Sequence, residues 1–199
     1  FLEKTVSAVP NRLSLKVRLG RKASEEIFKL LPIFNRYPLQ EIIIHPRTGT
    51  QMYGGQPDLG AFENCIGMTQ HPIVYNGDIT DMESFQELAA RFTTVNSWMI
   101  GRGAIIDPFL PAIIKNGQDR FDNPVETFRC FYEELFEEYQ QVFAGPGHLL
   151  ERMKGFWTYF SQAFKDGRQI RKKIHRTLKL GRYLEIVARF FEEDAQWKK

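Results

Sequence analysis

The chain has 199 residues, of which 43% are hydrophobic, 14% aromatic and 26% charged. This balance and length suit a globular chain with one or two cores and exclude a disordered one. No stretch approaches the roughly 20 uninterrupted apolar residues of a membrane helix. The net charge of +3 is unevenly spread: residues 1–144 hold 14 Lys and Arg against 18 Asp and Glu, whereas residues 145–199 hold 13 against 6. A mildly acidic body followed by a basic segment predicts a catalytic part joined to a part that binds a polyanion.

The opening FLEKTVSAVPN lacks the basic, apolar, small-residue order of a signal peptide, so a cytoplasmic location is expected. The sequence starts at Phe1 and enters a strand-like segment almost at once, which predicts a natural beginning further upstream. Cys65 and Cys130 stand 65 positions apart with no CxxC pair or histidine cluster near them, and read as plain reduced thiols rather than as a disulfide or metal site.

Short apolar runs follow at steady intervals: LSLKVRL at 13–19, EIIIH at 41–45, PIVYNGD at 72–78 and SWMIGRG at 97–103. Between and after them lie helical patterns beginning at Ala23, Asp58, Asp81 and Asp107. A strand and a helix every 30 residues or so is what a βαβ crossover needs, and continuous apolar strands predict a parallel sheet. Past residue 120 the pattern becomes helical throughout. Asn123 followed by Pro124 reads as an N-cap with proline at the first helical position, and Val125, Phe128, Tyr132, Leu135, Tyr139 and Val142 then recur at helical spacing. After the AGPG break at 144–147 come Leu150, Met153, Trp157, Phe160 and Phe164, and then Tyr183, Leu184, Val187, Phe190 and Phe191. These aromatics predict the core of a small helical bundle. The fold class expected is α/β plus all-α, divided into residues 1–118 and 119–199.

In such sheets the chemistry gathers at the carboxyl ends of the strands. Lys16 and Arg18 lie near the first exit, His45, Arg47 and Thr48 at the second, Asn76, Gly77 and Asp78 at the third, and Gly101, Arg102 and Gly103 at the fourth. The NGD and GRG turns put glycines before helices, where backbone amides approach an anion, so a phosphate is predicted there; NGD alone is also an ordinary turn.

KVRLG, IIIHPRTGTQMYGG, VYNGDI and MIGRGAIIDPFL, in this order and spacing, resemble the carboxyl-terminal half of the tRNA-dihydrouridine synthase family. The resemblance implies the second half of a TIM (β/α)8 barrel followed by a helical tRNA-binding domain. It further implies FMN as cofactor, NADPH as reductant, and reduction of uridine to dihydrouridine in tRNA. It places Lys16 along the pyrimidine edge of the flavin, His45 near the same ring, and Asn76, Gly77, Asp78, Gly101 and Arg102 around the flavin phosphate. Arg47 matches an arginine that shapes the substrate side, or else pairs with a carboxylate. Tyr53 matches a family tyrosine but reads first as a packing aromatic. Pro46 stands where the family usually has glycine, and PDL at 57–59 replaces an acidic-aromatic pair. The family's catalytic acid is a cysteine ahead of the segment matching LSLKVRLG; neither Cys65 nor Cys130 matches it, so no catalytic residue is expected in this chain.

The run KDGRQIRKKIHRTLKLGR at 165–182 holds eight Lys and Arg with one Asp. It reads either as a solvated helix face or, with the resemblance, as an RNA contact through Arg168, Arg171, Lys172, Lys173, Arg176 and Lys179. Two other readings stay open: an RNA-binding module that keeps barrel motifs without chemistry, and a different FMN barrel acting on a small molecule. A half barrel would leave two open sheet edges, which predicts either self-association or a longer parent polypeptide.

Overall fold

A computed structural model describes residues 2–10, 12–117 and 122–198. The chain divides into two compact units, Phe1–Gly101 and Arg102–Lys199. The division expected between residues 118 and 119 lies outside the described residues.

The first unit is a four-stranded parallel sheet, β1 (Leu13–Gly20), β2 (Leu39–Thr48), β3 (Ile73–Asn76) and β4 (Ser97–Met99), in that spatial order. Its helices are α1 (Leu2–Ala8), α2 (Glu26–Phe34), α3 (Leu59–Ile66) and α4 (Met82–Arg91). The expected βα alternation is present, preceded by α1, which the sequence reading did not anticipate. Asp58 and Asp81 end the loops before α3 and α4 by accepting hydrogen bonds from the amides of Ala61 and Ser84, and Ser84 completes a capping box. The loop after β1 closes differently: the Glu26 carboxylate accepts from the amides of Arg21, Lys22 and Ala23, which holds its pKa down at about 2. A Cβ on Gly20 would lie 2.3 Å from the Ala23 carbonyl oxygen, so only glycine fits at this exit.

Parallel register places Lys16 beside Ile43, Arg18 beside His45, Ile43 beside Val74, and Asn76 beside Met99. Paired residues share a face. Ser14, Lys16, Arg18, His45 and Asn76 therefore lie on one face of the sheet. Leu15, Val17, Ile42, Ile44 and Tyr75 lie on the other, where Tyr75 meets Phe62 of α3 with ring centroids 4.9 Å apart. Phe62, Phe92, Phe85 and Trp98 extend that ring cluster. The sheet thus has one face packed by aromatic rings and one that carries the charged and polar side chains around buried Ile43 and Val74, called the polar face below.

Strand β2 runs three residues past its expected end and carries an irregularity there: Arg18 pairs with His45, but Gly20 pairs with Thr48. One extra residue of β2 is accommodated in the stretch Pro46–Arg47. Proline has no N–H to give to a ladder, so a bulge is where it fits. Strand β4 is shorter than expected, ending at Met99, and Arg102–Ile106 forms helix α5. The glycines at 101 and 103 end the ladder there rather than prolong it.

The second unit is helical: α5, α6 (Leu110–Asn116), α7 (Pro124–Val142), α8 (Pro146–Phe160), α9 (Gly167–His175) and α10 (Leu180–Arg189), with a π-turn at Phe190–Asp194. Asn123 takes the N-cap position of α7 in the left-handed conformation but forms no side-chain cap. Helix α8 stops at Phe160, and Phe164 follows a 3-10 turn (Ser161–Ala163) in extended conformation. Phe128, Tyr132, Trp157, Phe160, Phe164, Tyr183 and Phe190 form a buried aromatic core, as expected. Its polar atoms satisfy one another: Trp157 Nε1 donates to the Tyr183 hydroxyl at 3.0 Å, and that hydroxyl shares a 2.6 Å bond with Tyr132. No described helix is long and apolar enough to cross a membrane.

Candidate flavin and nucleic-acid sites

The polar face of the sheet gathers the residues of the first three strand exits. The Lys16 ammonium donates to Asn76 Oδ1 at 2.6 Å, and Asn76 Nδ2 donates to the Met99 carbonyl at 2.8 Å. One side chain from β1 and one from β3 thereby tie three strands together while leaving Lys16 exposed. Partial burial and the neighbouring Arg18 lower the Lys16 pKa.

At the next exit, His45 and Arg47 are only 7% and 1% exposed. Arg47 forks onto Asp78, Nη1 to Oδ1 at 3.0 Å and Nη2 to Oδ2 at 2.6 Å, and Nη2 also donates to the Gly55 carbonyl at 2.7 Å. Of the two roles open to Arg47 from sequence, pairing with a carboxylate is the one seen here. Arg47 Nη1 also lies 3.4 Å from His45 Nε2. A guanidinium only donates, so that ring nitrogen carries the lone pair and the imidazole is neutral. Burial first, then the charges of Arg18, Lys16 and Arg47, lower the His45 pKa to about 4; Asp78 opposes them.

Arg18 is the residue whose part sequence reasoning left unassigned. It donates to the Thr48 carbonyl at 2.9 Å and lies over the Tyr53 ring, 5.6 Å from its centroid. Tyr53 is 58% exposed, so it is not a core aromatic; its ring centroid lies 6.3 Å from that of His45. The signal available in the sequence was spacing: Arg18 is two residues beyond Lys16, on the same face of the same strand.

Gly77 follows β3, with its Cβ position 3.2 Å from the Tyr75 hydroxyl, and Asp78 has a left-handed φ of 38°. Gly101 ends the first unit with open space where a Cβ would point. Arg102 is the first residue of α5 in the second unit.

The sequence model of the dihydrouridine synthase (Dus) family matches residues 1–196. This chain belongs to the dihydrouridine synthase family. Within that family it is similar to the tRNA-dihydrouridine(16) synthase of Pasteurella multocida (strain Pm70), 36% identical over 186 residues, covering 84% of this chain and 58% of the relative. The corresponding protein of Salmonella typhimurium is 31% identical over 188 residues, 91% of this chain and 59% of the relative. That of Escherichia coli O157:H7 is 34% identical over 120 residues, covering 59% of this chain and 38% of the relative. The chain thus spans roughly half the length, or less, of the dihydrouridine synthases it matches.

The second unit carries the remaining residues singled out by sequence. Helix α9 buries Ile170 and Ile174 and exposes Arg168, Arg171, Lys172 and Lys173, and the stretch that follows it exposes Arg176 and Lys179. None of these six cations has an ion-pair partner among the described residues, whereas Arg182 pairs with Glu185 at 2.7 Å. A groove of about 770 Å³ runs between α9 and α10, lined by Lys172, Lys173, Arg176, Lys179 and Arg182 together with Leu178 and Ile186.

Proposed function

We propose that this chain is the carboxyl-terminal part of a tRNA-dihydrouridine synthase: half of a (β/α)8 barrel that holds FMN, and a helical part that faces the RNA. The reaction is reduction of uridine in tRNA to 5,6-dihydrouridine, with NADPH as reductant. The observation that carries this reading is the Lys16–Asn76–Met99 chain of hydrogen bonds that links β1, β3 and β4 in a family member.

The residues present fit a flavin. An exposed ammonium and a neutral imidazole lie on one polar face. Bound FMN supplies hydride transfer to the uracil ring. Lys16 offers a fixed cation beside a ring edge that gains negative charge, and His45, uncharged and with Nε2 facing Arg47, offers the N–H of its other ring nitrogen to a planar imide. The backbone at Gly77 and Gly101 is assigned to the phosphate. Arg47 is assigned to the substrate side only indirectly, since its guanidinium is committed to Asp78 and Gly55. Cys65 is fully buried, its thiol pushed up to about 11 by burial and by Asp58. Neither it nor Cys130 is assigned the acid that protonates the second carbon, and the chain by itself is not expected to complete the reaction.

Titrating FMN into the chain and following flavin absorbance tests the cofactor assignment. Lys16→Ala and Asn76→Ala are each expected to weaken binding about tenfold, equivalent to about 1.4 kcal/mol. Unchanged affinity in the double variant would remove the flavin site from this face. The RNA assignment is tested by tRNA binding across a salt series. Lys172→Ala, Lys173→Ala and Arg176→Ala combined are expected to reduce the slope of log K against log salt by roughly 2. An unaltered slope assigns α9 to a solvated surface.

A further inference from the structure

The fork between Arg47 and Asp78 joins three pieces of chain that the sequence keeps apart. Arg47 belongs to β2, Asp78 follows β3 at a separation of 31 residues, and the Gly55 carbonyl belongs to the long loop between β2 and α3. Arg47 is 1% exposed, so its charge rests on that carboxylate and that carbonyl, while its Nε is buried with no protein partner. Both Asp78 oxygens are bound to the guanidinium, and the residue accepts a left-handed backbone to place them there. An ionised carboxylate has no hydrogen to donate to a phosphate oxygen, and both oxygens here already accept from Arg47.

We propose that the Asp78 side chain is a positioning group: through Arg47 it pins the Gly55 loop to the sheet and fixes His45 in place on the polar face, and its carboxylate serves this clamp and not the flavin phosphate. This rests on the flavin reading for its consequence in catalysis, but the clamp stands on contacts within the first unit. The charged groups facing His45 are Lys16 and Arg18 from β1, Arg47 from β2 and Asp78 after β3, with the Tyr53 ring from the loop. Three of these are cations. Among the described residues Asp78 is the one anion in this set, so its two possible actions on His45 have opposite signs. If it is only a nearby charge, neutralising it lowers the midpoint of the imidazole. If it holds the clamp, neutralising it frees the ring to reach water and raises the midpoint.

The test uses the whole chain without flavin, as wild type, Asp78→Asn, Asp78→Glu and Arg47→Lys. The His45 ring is titrated by NMR, and chymotrypsin cleavage after Tyr53 reports the loop. Asp78→Asn and Arg47→Lys are expected to speed cleavage at least about tenfold and to raise the His45 midpoint by about one pH unit or more. Asp78→Glu is expected to recover much of both. A lowered midpoint with unchanged cleavage in Asp78→Asn overturns the proposal. If Asp78→Asn does not fold, Arg47→Lys decides: wild-type cleavage and an unmoved midpoint there overturn it equally. FMN affinity is measured in parallel. Loss of FMN binding in Asp78→Asn with the loop and His45 unchanged would make Asp78 a direct ligand and overturn the proposal. Absence of FMN binding in the wild type would overturn the flavin reading while leaving the clamp readouts to stand or fall alone.

Discussion

Replacing Trp157 by alanine is expected to destabilise the helical unit by about 3–5 kcal/mol, the range for removing a large buried aromatic. The indole is fully buried and has ring neighbours on every side: Tyr132 at 5.8 Å, Phe160 at 6.2 Å, Phe190 at 5.6 Å and Phe191 at 6.2 Å. The lost volume lies among neighbours from α7, α8 and the π-turn, each of which is anchored by its own helix, so the cavity collapses only in part. The loss also removes the N–H that the Tyr183 hydroxyl accepts. Domains of this size are stable by roughly 5–15 kcal/mol, so the variant is expected to unfold at much lower denaturant. Urea denaturation followed by circular dichroism at the helical band measures it. Trp157→Phe should fall between the two, because it keeps most of the ring and loses the donor. A shift under about 1 kcal/mol for the alanine variant would mean that the core repacks around the gap.

Acid is expected to weaken the first unit through His45. The folded pKa is about 4, below the ordinary 6.5, because burial and three cations disfavour the imidazolium. Below pH 6.5 the unfolded chain takes up a proton that the folded chain refuses, so folding becomes less favourable as pH falls toward 4. Below 4 both states are protonated and the loss levels off. At pH above 6.5 the contribution is at its full value. The gap between the two pKa values corresponds to at most roughly 3 kcal/mol. Glu26 acts in the same direction but lower, losing its contribution as pH falls from 4.5 toward 2. The window between pH 6.5 and 4.5 therefore separates the histidine from Glu26. Urea midpoints across that window should fall steeply for the wild type and much less for His45→Gln. Parallel curves would show that His45 is free to take up a proton in the folded chain.

Much of the sheet was readable because its strands are short apolar runs that end in glycine, proline or charge. Ile42, Ile43 and Ile44 read as a buried strand and are one. The aromatic periodicity from Val125 to Phe191 likewise gave the helical unit, since rings at three- and four-residue steps have few other uses in a polar helix. The strand ends were less legible. Backbone hydrogen bonding carried β2 through Pro46 to Thr48, and β4 stopped at Met99 with a helix beginning at Arg102, where the apolar run had read as strand. Within the candidate site, residue types and positions were visible but partners were not. Nothing in the spacing of Arg47 and Asp78 announces a fork across two strands, and nothing in the local sequence marks Arg18 as the cation that both stacks on Tyr53 and acts on His45.

Pro46 separates the two residues on which this site depends. Its ring fixes φ near −65° in every state of the chain, folded or not. The stretch joining His45 to Arg47 therefore explores fewer conformations before folding than a glycine there would allow, and loses less entropy when the bulge forms. At positions where the native backbone accepts proline, that reduction stabilises by about 0.4–1 kcal/mol without adding a single contact. The histidine and the arginine thus reach their places on the sheet with part of their separation already set by covalent geometry.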